Sequence, residues 1–519
     1  MNKQHFQIVV VGSGFAGSLT AMIAHQLGFS TVLIERGRHP RFAIGESSTP
    51  IANLLLEEIA MEYDLPFIRP LCKWGPWQKQ LPHLACGLKR GFTFYHHEFD
   101  RPFGPDPELR QQLLVGASPR DEVADTHWYR PDFDHYLVQQ AQALGVEYWD
   151  ETILDRAVAE PDGMRLAGTR HRRPMEITAE FVVDASGPRG FLSRALGLPE
   201  KTFETMPPTQ ALYSHFHGVG PLPDNFSANG RTPPYPTEQA AVHHVFPGGW
   251  IWVLKFNNGI TSAGVAAPDA LAHELDFKSG EPAWRRLLAR LPSLAEIFGP
   301  AKSIIPFVHL PRPAFRNAIA TGPHWALLPS AAGFVDPLLS TGFPLTLLGV
   351  KRVASLLGSH WQQPSIQIQL QNYSQLTLLE LDTAAELVGA LYATMGRFDL
   401  FRELSLLYFA AASFSEAARR LKKFLLADSF LLCRHPVFAD QFRQLCKSAR
   451  RPSTARKIAR LQLQIRETIE PFDVTGLTDQ SRHPWYPAVG TDLLSNASKL
   501  NSSELEITVM LRKCGLTVD

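Results

Sequence analysis

An apolar run, Ile8 to Val11, leads directly into Gly12-Ser13-Gly14-Phe15-Ala16-Gly17 and then into a stretch rich in alanine and leucine. That order reads as strand, tight turn and helix. A second apolar run, Thr31 to Ile34, ends on Glu35, which stands 18 positions beyond the last glycine. The spacing is that of a dinucleotide-binding fingerprint. Gly12 permits the turn, Gly14 lets a pyrophosphate approach the backbone, and Gly17 lets the helix close on the strand. The helix N-terminus then faces the phosphates, and Glu35 accepts from ribose hydroxyls. Stripped of its flanking strand and helix, the same hexapeptide is a glycine-rich turn that binds nothing.

The 519 residues suffice for roughly two to four units or one large composite, and 45% hydrophobic residues supply the core. A formal charge of +1, with acids and bases interspersed, gives neither nucleic acid nor an anionic membrane a reason to bind. Cys72, Cys86, Cys433, Cys446 and Cys514 form no CxxC pair, so neither a disulfide framework nor a metal site is expected. The chain enters its first strand at once and has no charge-free apolar run long enough to span a bilayer. The expectation is a soluble, cytoplasmic protein.

Beyond Glu35, the loop from Arg36 through Gly45-Glu46-Ser47-Ser48-Thr49-Pro50 is punctuated by glycine and proline and enters an apolar helix at Ile51. Residues 66–110 are dense in Pro, Trp, Phe and His, as a pocket wall would be, with one strand-like piece from Leu88 to Tyr95. A helix follows from Tyr129-Arg130-Pro131 to about Leu144, then a short strand at Val146–Trp149 and a β meander over Thr152–Ile177. A buried strand at Phe181 runs into Asp184-Ala-Ser-Gly187. Short alternating runs between 205 and 310 predict an antiparallel sheet. A strand at Trp325–Leu328 precedes the Ser330 to Gly342 loop and another helix. The rest is helical in period, with a weakly patterned tail beyond Thr475.

The GxGxxG, the Asp184-Ala-Ser-Gly187 turn and the Asp336-Pro337 loop together resemble FAD enzymes built like p-hydroxybenzoate hydroxylase. Within that group Gly248-Gly-Trp250-Ile-Trp252-Val-Leu254-Lys255 is similar to the WxWxIP signature of the flavin-dependent halogenases. Gly45 to Pro50 looks like their flavin-lining loop, and Ser330 to Gly342 like the loop that holds flavin and halide. Ala85-Cys86-Gly-Leu-Lys89-Arg-Gly-Phe92 resembles the phenol-acting branch, that of the phloroglucinol halogenase.

The resemblance implies an α/β fold: a Rossmann-like FAD-binding domain with a substrate-domain β-sheet and a helical C-terminal region. The corresponding bounds are 1–204 with 311–360 (including the 66–128 pocket wall), 205–310, and 361–519. It also implies halogenation of an electron-rich, phenolic aromatic, free or carrier-bound, using FADH2, oxygen and chloride or bromide. A flavin hydroperoxide would oxidise halide to hypohalous acid, which an active-site lysine delivers. With no second glycine fingerprint for NAD(P)H, a separate flavin reductase is the expected partner. The alternative is an FAD-dependent monooxygenase or dehydrogenase on the same scaffold, without halide chemistry.

The same resemblance assigns FAD to Gly12, Gly14, Ala16, Gly17, Glu35, Arg36, Gly45, Glu46, Ser47, Ser48, Arg130, Ser330, Asp336 and Gly342, and halide to Ser340, Thr341 and Gly342. No metal is implied. Lys89 is the candidate lysine; on an alternating strand it would otherwise point outward. Lys73 and Lys79 lie in loop sequence and are expected to be solvated. Trp250 and Trp252 share a strand face, as a wall between flavin and substrate or as core. His243 and His244 read as pocket wall or core. Thr341 and Gly342 open a helix, as an anion seat or an ordinary cap. Glu46 would act as a base, tune Lys89, or cap the helix near Thr49. Two positions depart from the family: Lys255 replaces proline, able to alter the strand's path and add a cation, and Ser330 stands where many relatives carry Asp.

Overall fold

The computed structural model describes residues 4–104, 106–223, 232–451 and 454–516; residues 224–231 of the expected substrate sheet lie outside that description. Five strands run parallel in the order Trp325–Leu327, Arg173–Asp184, Gln4–Val11, Thr31–Ile34 and Glu147–Trp149. Val11 pairs with both Ile34 and Asp184, and Asp184 in turn with Leu327. Four strands therefore end level. The turns that follow them (Gly12, Glu35, Ala185 and Leu328) line one carboxyl edge, where open α/β sheets take their ligands.

Close backbone approach fixes the glycines there. A Cβ on Gly17 would stand 1.8 Å from the Gly12 carbonyl oxygen, and Gly12 itself has φ +100°. Only glycine satisfies both positions.

The Arg173–Asp184 strand joins two elements that its sequence separates. Its first half pairs antiparallel with Gly163–Arg170 as part of the meander, and its inner half is the buried parallel strand. The burial changes from half-exposed to continuous along it, so a period-2 pattern gives way to an apolar run.

A nine-stranded sheet stands apart from the first. One face, carrying Phe92, Phe94, Trp250, Trp252 and Leu254, belongs to the main core. The other, with Phe246, Ile251, Val253 and Val265, is covered by helices Asp269–Glu274, Glu281–Ala289 and Pro292–Phe298. This sheet extends beyond 205–310. Gly91–His96 and Gln112–Gly116, from the segment read as a wall of the flavin domain, supply two of its strands. Trp485–Tyr486, in the tail read as weakly patterned, supplies another. The Trp485–Tyr486 pairing could not be seen locally, because its partner Leu114 lies some 370 residues away and such pairing leaves no periodic trace. The Leu88–Tyr95 piece is likewise two strands, Cys86–Lys89 and Gly91–His96, which join different sheets on either side of Arg90.

After Gly342–His360 the chain is helical, chiefly Ile366–Thr394, Phe398–Arg420, Phe438–Ala449, Ala455–Ile469 and Glu504–Lys513. No helix among the described residues is long and apolar enough to cross a membrane.

Candidate active site

Helix Phe15–Gln26 begins at Gly14 with no side-chain cap, so its first N–H groups face outward unclaimed. Glu35 lies beside this end, accepting from Ser13 N and Oγ at 3.1 and 2.9 Å, from Gly37 N at 3.0 Å and from Arg41 at 3.2 Å. Burial alone would raise its pKa, but Arg41 and the N–H donors outweigh it and hold the carboxyl at about 2. Glu35 is therefore an ionised acceptor, suited to ribose. Ala16 is buried in the helix, and Arg36 is exposed at the mouth.

Arg130 forks onto Asp134 at 2.8 and 2.7 Å and donates to the Gly45 carbonyl at 2.9 Å, which places a guanidinium against the same helix end. A Cβ on Gly342 would meet nothing within 4 Å, one on Gly45 nothing closer than 3.8 Å, and one on Gly14 only the side chains of Arg130 at 3.4 Å and Asp134 at 3.7 Å. These open glycines, the uncapped helix and the ionised Glu35 fit a dinucleotide.

The loop after Gly45 grips a different element with each residue. Glu46 Oε1 lies 2.7 Å from His215 Nε2, both side chains wholly buried. Ser47 Oγ accepts from Lys89 Nζ at 2.9 Å, and the Ser48 carbonyl accepts from the same ammonium. Ser48 Oγ donates to the Thr126 carbonyl at 2.7 Å. Glu46 thus neither tunes Lys89 directly nor caps the helix; Thr49 accepts from Ala52 N and is the cap. His215, on a strand about 170 residues away, carries no local signal for this pairing.

Lys89 does not point outward. It is 0% exposed, with its ammonium 3.8 Å from the centroid of Phe92 and Asp125 across from it in the Cys86–Lys89 and Asp125–Trp128 ladder. Burial lowers its pKa from 10.5 to about 7, and Asp125 partly opposes that fall. Asp125 accepts from Asn53 at 2.8 Å, and its other oxygen has no partner. His127 and His243 also feel Lys89, and burial pushes both down to about 3, which leaves them neutral. His243 stacks on Phe94 and both it and His244 are buried in the sheet core.

Trp250 and Trp252 do share a face, with ring centroids 5.7 Å apart. Trp250 Nε1 donates to Tyr392 OH at 3.2 Å, and Tyr392 donates to Asp336 Oδ2 at 2.9 Å. Asp336 Oδ1 accepts from Leu338 N at 3.0 Å. Both oxygens of Asp336 are therefore spent on protein, and burial raises its pKa to about 6. Its role is to hold the loop, in which Leu339 and Ser340 are both left-handed, φ 63° and 54°. Helix Gly342–His360 then starts at Thr341 without a side-chain cap, so Ser340 and Thr341 do not cap it. Ser330 lies in the one-turn helix Pro329–Ala332. Tyr392→Phe is expected to strand the Trp250 N–H and an Asp336 oxygen, at about 1–3 kcal/mol each. Denaturant unfolding measures that loss.

Lys255 leaves its strand undistorted, since pairing with Ile260–Pro268 continues through Lys255 opposite Thr261. Its half-buried ammonium pairs with Glu238. The backbone is what matters here: a Cβ on Gly87 would stand 2.2 Å from the Lys255 carbonyl oxygen, so this residue buttresses the Lys89 strand. Lys255→Ala is expected to cost under about 1 kcal/mol and leave turnover within about twofold, read by thermal denaturation and steady-state rates.

A cavity of about 160 Å³ is lined by Thr49, Tyr408, Phe409 and Phe92, the ring against which the Lys89 ammonium packs, with tail residues such as Leu493 and Met510 closing it; Lys89 itself does not line it. Lys73 does line it. Its side chain is 23% exposed, rather than the freely solvated group its loop sequence suggests. Among the described residues, no group of three or more His, Cys, Asp or Glu side chains could hold a metal ion.

With this geometry in place, comparison with known proteins is direct. Monodechloroaminopyrrolnitrin halogenase PrnC of Pseudomonas fluorescens is 29% identical over 362 residues, 69% of this chain and 62% of that protein. Tetracycline 7-halogenase of Kitasatospora aureofaciens is 28% identical over 351 residues, 66% and 61%. The match thus spans about three fifths of the length of these curated relatives. The crystal structure of halogenase PltM in complex with phloroglucinol and FAD superposes with TM-score 0.80 at 23% identity, covering 93% of this chain and 99% of that one. CmlS, a flavin-dependent halogenase, gives TM-score 0.62 at 16% identity over 99% and 96%. The family model described as tryptophan halogenase matches residues 126–402, more than half of the chain, and the protein belongs to that family.

Proposed function

We propose that this protein is an FADH2- and oxygen-dependent halogenase of a small, electron-rich phenolic substrate, with Lys89 as its active-site lysine. The observation that carries the reading is a wholly buried lysine held between the Gly45–Ser48 loop and the ring that walls the cavity. An ammonium out of water costs several kcal/mol unless it is used or paired. The relatives named above are halogenases, and PltM was solved with phloroglucinol and FAD.

The flavin, when bound and reduced, supplies with oxygen the oxidising equivalent that makes halide electrophilic. The chain does the rest. The uncapped helix at Gly14, with Arg130 beside it, takes the pyrophosphate, and Glu35 takes the ribose. Gly45 and Gly342 leave room for the ring system. The free N–H groups opening helix Gly342–His360, beside Ser340 and Thr341, suit a halide. Trp250 and Trp252 stiffen the wall behind that loop through Tyr392 and Asp336. With two of its N–H groups on Ser47 and Ser48, Lys89 has one left to donate to the oxidant and aim it at the ring.

A pKa near 7 makes the Lys89 charge depend on pH. The ammonium form falls as pH rises through about 7, and halogenation that needs it falls in the same window. Stability moves the other way: the folded pKa lies below the unfolded one, so the unfolded chain binds more protons between them and stability rises with pH from about 7 towards 10.5. A pH–rate profile beside a pH–stability series checks both signs.

The defining assay supplies FADH2 from a separate reductase, chloride or bromide, and a panel of phenols. Halogenated mass shifts support the reading. Halide-independent oxidation with NAD(P)H consumed by this chain alone would favour a monooxygenase.

A further inference from the structure

The wall of the cavity carries three charged side chains, Lys73, Glu416 and Arg420. Two of them cancel. Arg420 Nε donates to Glu416 Oε1 at 2.8 Å, and another of its nitrogens lies 3.8 Å from Glu57. Lys73 is left with Asp125, at 3.8 Å from Nζ to Oδ1. That carboxylate sits behind the wall, accepts from Asn53, and stands opposite Lys89 in its ladder. One buried carboxylate thus serves two ammonium groups, and the one on the cavity is Lys73. Tyr408 and Cys514, the other titratable groups near it, are both pushed up by burial and stay neutral. The remaining lining is aromatic and aliphatic.

We propose that Lys73 recognises the ring hydroxyl of the aromatic substrate as its phenolate. The inference rests on the halogenase reading above and deepens it by giving the substrate's oxygen a partner distinct from Lys89. The O–H bond breaks heterolytically, the proton leaves to solvent through the open side of the cavity, and the oxygen keeps the electron pair beside the Lys73 ammonium; nothing is oxidised or reduced. A phenolate releases more electron density into its ring than a phenol, so the carbon that meets the electrophilic halogen is more nucleophilic. One lysine thus serves the halogen and the other the oxygen. An opposite charge within about 4–6 Å lowers an acid's pKa by about 1–3 units.

The test uses holoenzyme with oxidised flavin and para-nitrophenol, whose phenolate is read by difference absorbance across a pH series. The bound phenol is expected to titrate about 1–3 units below the free one. Lys73→Met should abolish that shift, Lys73→Arg should keep it, and Lys89→Met should leave it in place. A bound pKa equal to or above the free value overturns the proposal, as does a shift that survives Lys73→Met, or failure of the phenol to bind. Halogenation of phenols without the shift would sink the Lys73 role alone. A shift without any halogenation would sink the activity and spare the recognition.

Discussion

Lys89→Met is expected to lower kcat for halogenation by about 10²–10⁴-fold while flavin affinity stays within about twofold. The side chain touches the Ser47 hydroxyl, the Ser48 carbonyl and the Phe92 ring, and none of the glycines that open on the dinucleotide space. Oxidant made at the flavin would then be released unused, so oxygen consumption persists and product does not. The variant should also fold well. Removing one partner of a buried pair costs about 3–5 kcal/mol where it leaves a charge unpaired, but Asp125 keeps Asn53 and Lys73 as neighbours, so the loss is expected to be smaller. A variant that is folded, flavin-loaded and inactive separates a catalytic lysine from one whose loss only unfolds the chain. Lys89→Arg should not rescue it, because a planar fork does not replace a compact ammonium packed 3.8 Å from a ring centroid.

The second large effect is expected at Gly12→Val. The position has φ +100°, and a Cβ there would stand 2.6 Å from the Ala185 carbonyl oxygen and the Ser186 Cα. The backbone conformation costs about 1–2 kcal/mol for a residue with a Cβ, and overpacking adds about 1–3. Flavin binding is expected to be lost together with several kcal/mol of stability. Gly14→Ala is the control. Its Cβ meets only side-chain atoms, Arg130 at 3.4 Å and Asp134 at 3.7 Å, so stability should hold while flavin affinity falls, because the methyl occupies the space the pyrophosphate needs. Denaturant midpoints and flavin fluorescence titrations measure both.

The nucleotide half was legible because its signals are local. Glycines at fixed offsets, a strand, a helix and an acid all lie within Ile8–Glu35, and the structure brings the expected turns to one sheet edge. Lys89 was legible as a lysine in an apolar strand, although what holds it was not. In the sequence Ser47 shows only as part of the loop that resembles a flavin-lining one, and Asp125 carries no signal, because one acid in a short strand looks like an edge residue. His215 against Glu46, Tyr392 between Trp250 and Asp336, and the tail that closes the cavity are long-range contacts with no periodic trace. Lys255 shows the converse error. The sequence draws attention to a lost proline and an added charge, whereas the structure uses the residue's carbonyl as a buttress and sends the charge outward to Glu238.

The measurement that bears most directly on the central claim is a single turnover. Enzyme loaded with reduced FAD is mixed with oxygen, chloride or bromide and a phenol, and the product is read by mass spectrometry for wild type and Lys89→Met. The account predicts a product carrying the halogen isotope pattern with wild type, no such product when halide is omitted, and none with Lys89→Met. An oxygenated product that forms equally without halide, or halogenation that Lys89→Met leaves intact, would contradict it.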